Sequence, residues 1–394
     1  MTNPQDAGLT GRYLVLLEDD AVAAGARAMS RVAGLRMAST ADSAGASVTS
    51  MFDEADGLIL HELGVAVVTA AEDQASRLAV AAAEPGPIAT VEAERIVHAI
   101  TAEAPAEPTA SADESAFTWG LQAVRAVACP LDATGIRVAV LDTGFDVSHA
   151  DFAGRNVTTA SFIKGEDVQD GHGHGTHCIG TACGPRKPAA GPGYGVAFNS
   201  DIYAGKVLSN RGSGSDGGIL SGISWAIANG CRVVSMSLGA PTQPGTPHST
   251  VFEQAAKRAM NAGTLIIAAA GNESSRSAGH IASVSHPANC PSIMSVGAVN
   301  EAQAIADFSC GTMDAIGQVD IVAPGEDVLS SWKGGTHKRL RGTSMATPHV
   351  AGIAALISAQ YDAKSWELWA RLVQTASRLK LPSTDVGAGL VQAP

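Results

Sequence analysis

The chain encodes a small α+β unit followed by a larger α/β unit. A small βαββαβ unit spans residues 13–100, and a mostly parallel sheet flanked by helices spans residues 119–394. Three features predict this. Short apolar runs alternate with helix-length stretches in both parts. The first part follows the order β-α-β-β-α-β, a known supersecondary unit. Between them TAEAPAEPTASADES is rich in Ala, Pro, Glu and Ser and lacks apolar periodicity, so residues 101–118 read as a linker.

In the first unit YLVLL is a short strand and AVAAGARAMSRVAG a helix. GLILHEL and VAVVTA are two further strands, EDQASRLAVAAAE is a second helix, and IATVEAERIVHAI is the last strand. Residues 1–12 carry no such pattern and are assigned to a disordered arm. In the second unit IRVAVL, DIYAGKVL, RVVSMSL, TLIIAAA and SIMSVGAV are buried strands. SDGGILSGISWAIANG and VFEQAAKRAMNAG are helices between them. The latter places Val251, Phe252, Ala255, Ala256, Ala259 and Met260 on one face. Strands alternating with helices imply a sheet covered on both sides, with functional groups beyond the carboxyl ends of its strands.

Bulk properties exclude some classes. The 394 residues are 45% apolar, enough for a sizeable core, and a net charge of −12 argues against a nucleic-acid partner. No apolar run is long enough to span a membrane. The start, MTNPQDAGLTGR, lacks the basic and apolar regions of a signal peptide. The protein is thus expected to stay inside the cell, or to have lost an export signal. Cys129, Cys178, Cys183, Cys231, Cys290 and Cys310 are spread out without C-x-x-C, and several are expected to be small buried residues.

The stretch DGHGHGTHC packs His172, His174 and His177 together with Cys178. A helical zinc motif would place two histidines at i and i+4 with a glutamate between. Here the spacings are two and three, and no glutamate is present. A metal held in a loop and a single base histidine both remain open on this stretch alone. Three other motifs bear on the choice. VAVLDTGFD places Asp142 just past a buried strand, GTSMATPHVAGIAALI places Ser344 at the start of a long apolar helix, and AAAGNES places Asn272 at a strand end. A serine needs a base to become a nucleophile, and a histidine can accept and return that proton near neutrality. A carboxylate on the far ring nitrogen sets the tautomer. Free N–H groups at a helix start, and a side-chain amide, favour the negative charge that develops on attack.

The order Asp, His, Ser and the motifs themselves resemble the subtilisin family of serine peptidases. DGHGHGTHC, with His172 where Asn is usual, and LSSWKGG before GTSMATPHVAG are most similar to the proteinase K branch. The resemblance covers residues 119–394. It implies a triad of Asp142, His174 and Ser344, with Asn272 as the oxyanion-hole amide. It further implies that Ser237, Leu238 and Gly239 on one side, and Gly212, Ser213 and Gly214 on the other, pair with substrate backbone. Ala270, Gly271 and Glu273 would form one wall of the pocket for the residue before the scissile bond. Recognition by two strands uses main-chain hydrogen bonds and tolerates many sequences.

The first unit resembles the family's inhibitory prodomain. This implies a self-processing zymogen cut first between Ile100 and Thr101, with the prodomain as its own inhibitor and peptides or proteins as substrates. A monomer is expected. The chemistry needs no cofactor. Asp151 in HADF resembles a family calcium ligand, which makes structural calcium an expectation there, although the loop GPRKPAAGPGYG is short of side-chain oxygens. His172 is read as a solvated loop residue, His177 as a packed helix residue, and His286 and His349 as structural. Two rival readings share the motifs: a peptide ligase or macrocyclase on the same triad, and a non-catalytic binding protein locked by its prodomain.

Overall fold

A computed structural model describes residues 8–42, 48–100 and 112–394. The first unit contains β1 (Leu9–Leu17), α1 (Val22–Ala33), β2 (Met37–Ser39), α2 (Val48–Glu54), β3 (Gly57–Leu60), β4 (Val65–Val68), α3 (Glu72–Ala82) and β5 (Ile88–Ala99). Its strands run in the order β5-β1-β4-β3-β2. β2 and α2 are additions to the expected βαββαβ order. MAS is too short and VTSMFDE too weakly patterned to stand out in sequence. β1 starts at Leu9 rather than Tyr13, so residues 9–12 are strand and not a disordered arm. The buried Glu94 carboxylate holds them, accepting from Arg12 Nε and Nη2 at 2.7 Å each and from the Thr10 hydroxyl.

The run YLVLL is apolar on both strand faces for a reason. Val15 and Leu17 point into a core with Met29, Leu35, Ile59, Leu78 and Ile88, under the unit's own helices. Leu14 and Leu16 belong instead to the main core, shared with the second unit. Side chains alternate across a sheet, so a strand without polar alternation is one with both faces covered.

The second unit begins with α4 (Trp119–Ala123). Its main sheet is made of β6 (Arg137–Asp142), β7 (Val157–Ser161), β8 (Asp201–Lys206), β10 (Val233–Met236), β12 (Leu265–Ala269), β13 (Met294–Val299) and β14 (Ile321–Pro324). The strands are parallel throughout, in the order β14-β13-β12-β10-β6-β8-β7. The first strand, β6, therefore lies inside the sheet, where the winding direction reverses. Its carboxyl end opens on the crevice in which such sheets place their chemistry.

Helices cover both faces: α5 (His174–Cys183), α6 (Asp216–Ala228), α7 (Thr250–Asn261), α8 (Thr343–Tyr361), α9 (Ser365–Thr375) and the short α10 (Ser383–Val386). Along α7 the expected face of Val251, Phe252, Ala255, Ala256, Ala259 and Met260 is buried. A hairpin of β15 (Val328–Trp332) and β16 (Thr336–Leu340) packs on α5. Two short strands, β9 (Ser213–Ser215) and β11 (Leu238–Gly239), leave the main sheet and pair with β5. Residues 112–118 also lie on the second unit. Gly193 exchanges hydrogen bonds with the chain there, donating to Ala116 O at 2.9 Å and accepting from Thr118 N at 3.0 Å. Among the described residues no helix is long and apolar enough to cross a membrane.

The two units meet at the N-termini of α6 and α7. Glu94 accepts from Gly217 N at 2.9 Å, and Glu92 accepts from Val251 N at 3.1 Å and Ser249 Oγ at 2.6 Å. Carboxylates satisfy helix amides that would otherwise lack partners and complement the helix dipole. At the other end of α7, Arg258 donates to Leu17 O at 2.7 Å and to Asp19 at 2.7 Å.

Candidate active site

Asp142 is the last residue of β6, His174 the first of α5, and Ser344 the second of α8. All three are buried. His174 Nδ1 lies 2.7 Å from Asp142 Oδ1, which also accepts from Thr143 N at 2.7 Å. The carboxylate is an acceptor, so Nδ1 carries the proton and Nε2 presents a lone pair. Among the described residues His174 Nε2 has no hydrogen-bond partner. Burial opposes the imidazolium, yet the Asp142 carboxylate outweighs it and holds His174 well above its ordinary value.

The C-terminal end of β5 runs through the cleft. Ile96, Val97 and His98 pair antiparallel with Ser215, Gly214 and Ser213, while His98 and Ala99 pair with Gly239 and Leu238. Beyond these ladders Ala99 N donates to Gly212 O at 2.8 Å and Ile100 N to Ser237 O at 3.3 Å. Gly212 makes its bond with φ near +78°, a conformation that strains any side chain. A single strand held on both edges fixes the position of its last residue. The Ser344 hydroxyl makes a short contact with the Ile100 carbonyl oxygen, and Asn272 Nδ2 donates to the same oxygen at 3.3 Å. The Ile100 side chain is buried, and Gly239 lies beside its Cδ1. Thr101 lies outside the described residues.

The subtilase family model matches residues 133–389. The chain belongs to the subtilase family. It is 41% identical over 257 residues to the subtilisin of Bacillus pumilus, covering 65% of this chain and 86% of that protein. It is 40% identical over 256 residues to subtilisin E of Bacillus subtilis (strain 168), covering 64% of this chain and 62% of that protein. The crystal structure of a cold adapted subtilisin-like serine proteinase superposes with a TM-score of 0.61 at 32% identity, over 71% of this chain and 99% of that one. This subtilase is a serine endopeptidase, a hydrolase of peptide bonds, and its chemistry needs no cofactor.

Thr343 and Asp170, which the sequence did not single out, bear on these residues, and Ser237 has a further contact there. Thr343 directs both its N–H and its hydroxyl at Asn272 Oδ1, each at 2.9 Å, which turns Nδ2 toward Ile100. Ser237 Oγ donates to Ser344 O at 2.8 Å. Asp170 is buried and caps α5, accepting from Gly173 N at 2.7 Å, Thr176 N at 2.9 Å and Thr143 Oγ1 at 2.9 Å. Burial alone would raise its carboxyl, but these donors hold it below the usual carboxylate range. An Asp shortly before a Gly-rich helix start is a legible capping signal.

The residues expected at the pocket wall are tightly packed. Ala270 is fully buried, and Gly271 sits where a side chain would strike Ser285, Glu273 and Cys310. Glu273 Oε2 accepts from Ser285 Oγ at 3.1 Å and from the Cys310 thiol at 3.2 Å. Ser285 and Cys310 thus hold the Glu273 carboxylate in place.

The remaining histidines divide. His177 is buried in α5, and its Nε2 donates to Val328 O and Lys338 O at 3.0 Å each. Burial pushes its pKa down to about 3, so it is a neutral packing residue. His349 donates to Met345 O at 2.8 Å and is pushed down to about 4 by burial. His286 is buried against Asp216 at 2.9 Å. His172 differs from the solvated residue expected. It is half-buried beside Gly212, with a ring centroid 6.2 Å from that of His174, and burial lowers its pKa. The histidines of DGHGHGTHC do not converge on one point. Cys178 lies below His174, with Sγ 3.9 Å from Nδ1, and burial raises its thiol. All six cysteines are buried thiols.

Asp151 does not fit calcium. Its oxygens accept from Tyr194 OH at 2.6 Å, His337 Nε2 at 2.8 Å and Ala189 N at 3.4 Å. These are donors, whereas a hard cation needs several converging oxygens. The groups present satisfy the carboxylate without an ion.

Proposed function

We propose that this subtilase is made as a zymogen in which residues 13–100 are an inhibitory prodomain and residues 119–394 the catalytic domain, with 101–118 as the connecting arm. The observation that carries the reading is the Ile100 carbonyl, lying against Ser344 and Asn272 at the end of a strand held on both edges. In this reading Ser344 Oγ attacks the Ile100 carbonyl carbon while His174 Nε2 takes the hydroxyl proton. Asp142 orients the ring and stabilises its charged form. The oxyanion that forms is met by Asn272 Nδ2, which Thr343 holds beside the start of α8. Collapse breaks the bond from Ile100 to Thr101, and His174 returns the proton to the departing amine. Water then attacks the acyl-enzyme by the same route and frees Ser344.

Peptide substrates follow the path of β5 once that strand has left. The motif DGHGHGTHC supports a place nearest the proteinase K branch. We take the enzyme as a monomer. We take hydrolysis over ligation because the similar proteins are subtilisins. Ser344→Ala should leave the chain at full length and abolish peptide hydrolysis. N-terminal sequencing over a short time course should find Thr101 as the first new terminus. A first cut inside residues 13–90, or processing of Ser344→Ala at the normal rate, would sink the reading. A sulfonyl fluoride should stop the activity and a zinc chelator should not.

A further inference from the structure

We propose that Asp216 is a specificity residue that selects substrates carrying arginine or lysine at the sixth position before the bond that is cut. The proposal rests on the reading above, in which β5 lies in the cleft as a substrate does. β9 ends its ladder where Ser215 pairs with Ile96. The next residue, Asp216, opens α6, so the backbone turns away from the bound strand. Its side chain takes over. Oδ2 accepts from Arg95 N at 3.1 Å and lies 3.4 Å from Arg95 Nη1. Counting Ile100 as the first residue, Arg95 is the sixth. One carboxylate thus contacts both the main chain and the side chain there.

The second unit prepares this carboxylate by itself. Oδ1 accepts from His286 Nε2 at 2.9 Å. His286 is held in turn by a backbone pair with Ala240 and by edge-on packing against Phe252, with centroids 4.7 Å apart. With β5 in place Asp216 is fully buried. A buried carboxylate demands partners at both oxygens: at Oδ2 a cation supplies one, an uncharged residue leaves only the main-chain N–H, and an acid repels it. Arg95 also lies 3.7 Å from Glu92, but that residue belongs to β5 itself, so only the Asp216 contact passes to an independent substrate.

Peptides with the sequence of residues 91–104 test this, carrying Arg, Lys, Ala or Glu at the place of Arg95 and assayed with the enzyme produced by its own processing. The Arg and Lys peptides should show kcat/KM about tenfold above Ala, with Glu lower still. Asp216→Asn should bring Arg and Ala to within about twofold of each other. Equal rates for Arg and Ala in the unmodified enzyme, or an undiminished ratio in Asp216→Asn, would overturn the proposal. Absence of cleavage of every peptide would instead condemn the catalytic reading. The full-length Ser344→Ala chain then decides: hydrogen exchange across 88–99 should accelerate in Arg95→Ala and in Asp216→Asn, with no further gain in the double variant. Additive acceleration would overturn it.

Discussion

Asn272 can stabilise an oxyanion only if its nitrogen, not its oxygen, faces the substrate carbonyl. Thr343 decides this by aiming two donors at Oδ1. Asn272→Leu should therefore lower kcat on the order of 10²–10³, a figure that comes from subtilisin itself, while KM changes little. A rise in KM at constant kcat would assign the amide to substrate binding. The pH profile tests the neighbouring pair. Asp142 holds His174 above its ordinary value near 6.5, so the proton-accepting form is lost as pH falls through that raised value. The acidic limb of kcat/KM should lie above 6.5. Asp142→Asn should move it to lower pH and cut kcat about 10⁴-fold. A limb that stays in place would remove Asp142 from this role. These residues were legible as motifs. Thr343 was less so, because a hydroxyl that only orients another group carries no chemistry of its own.

At the scale of elements, the helices that carry His174 and Ser344 approach closely. Gly352 of α8 has no room for a side chain: a Cβ would lie 2.5 Å from Val196 Cβ and 2.9 Å from Ala182 O, at the end of α5. Gly352→Ala should cost about 1–3 kcal/mol and lower the melting temperature, because backbone and a β-branched residue must shift. An unchanged melting temperature would contradict that packing. A second contact joins the units. Glu94 accepts from Gly217 N at the start of α6 and is paired with the partly exposed Arg12. Glu94→Ala leaves both without the carboxylate, and docking should weaken by about 2–3 kcal/mol after allowance for solvent at Arg12. In the Ser344→Ala chain the first urea transition should move to lower concentration. The strand VEAERIVHAI was readable from its apolar residues, but the partners of its acids were not, since both helix ends lie more than 100 residues downstream.

At the scale of the whole molecule, the first unit is one sheet extended by two strands of the second. Its last side chain, Ile100, enters a site that excludes water. Ile100→Glu would place a charge there without a partner, and the first cut should slow at least about tenfold. Intact mass against time measures it, and cutting after Glu at the original rate would show that the side chain is not lodged in the site.

What the sequence determined by itself was local and periodic. Alternating strands and helices specified the parallel sheet, and Asp142, His174, Asn272 and Ser344 were marked by short motifs whose chemistry is intrinsic to the residue types. The tertiary structure alone decided how distant groups meet. Leu14 and Leu16 look like any apolar strand residues until the second unit covers them. Asp151 looks like a calcium ligand until Tyr194 and His337 fold onto it as donors. Asp216 looks like a helix-opening acid until Arg95 arrives from 121 positions upstream. A side chain's partners depend on backbone closure over such separations, and no periodicity within a segment encodes them.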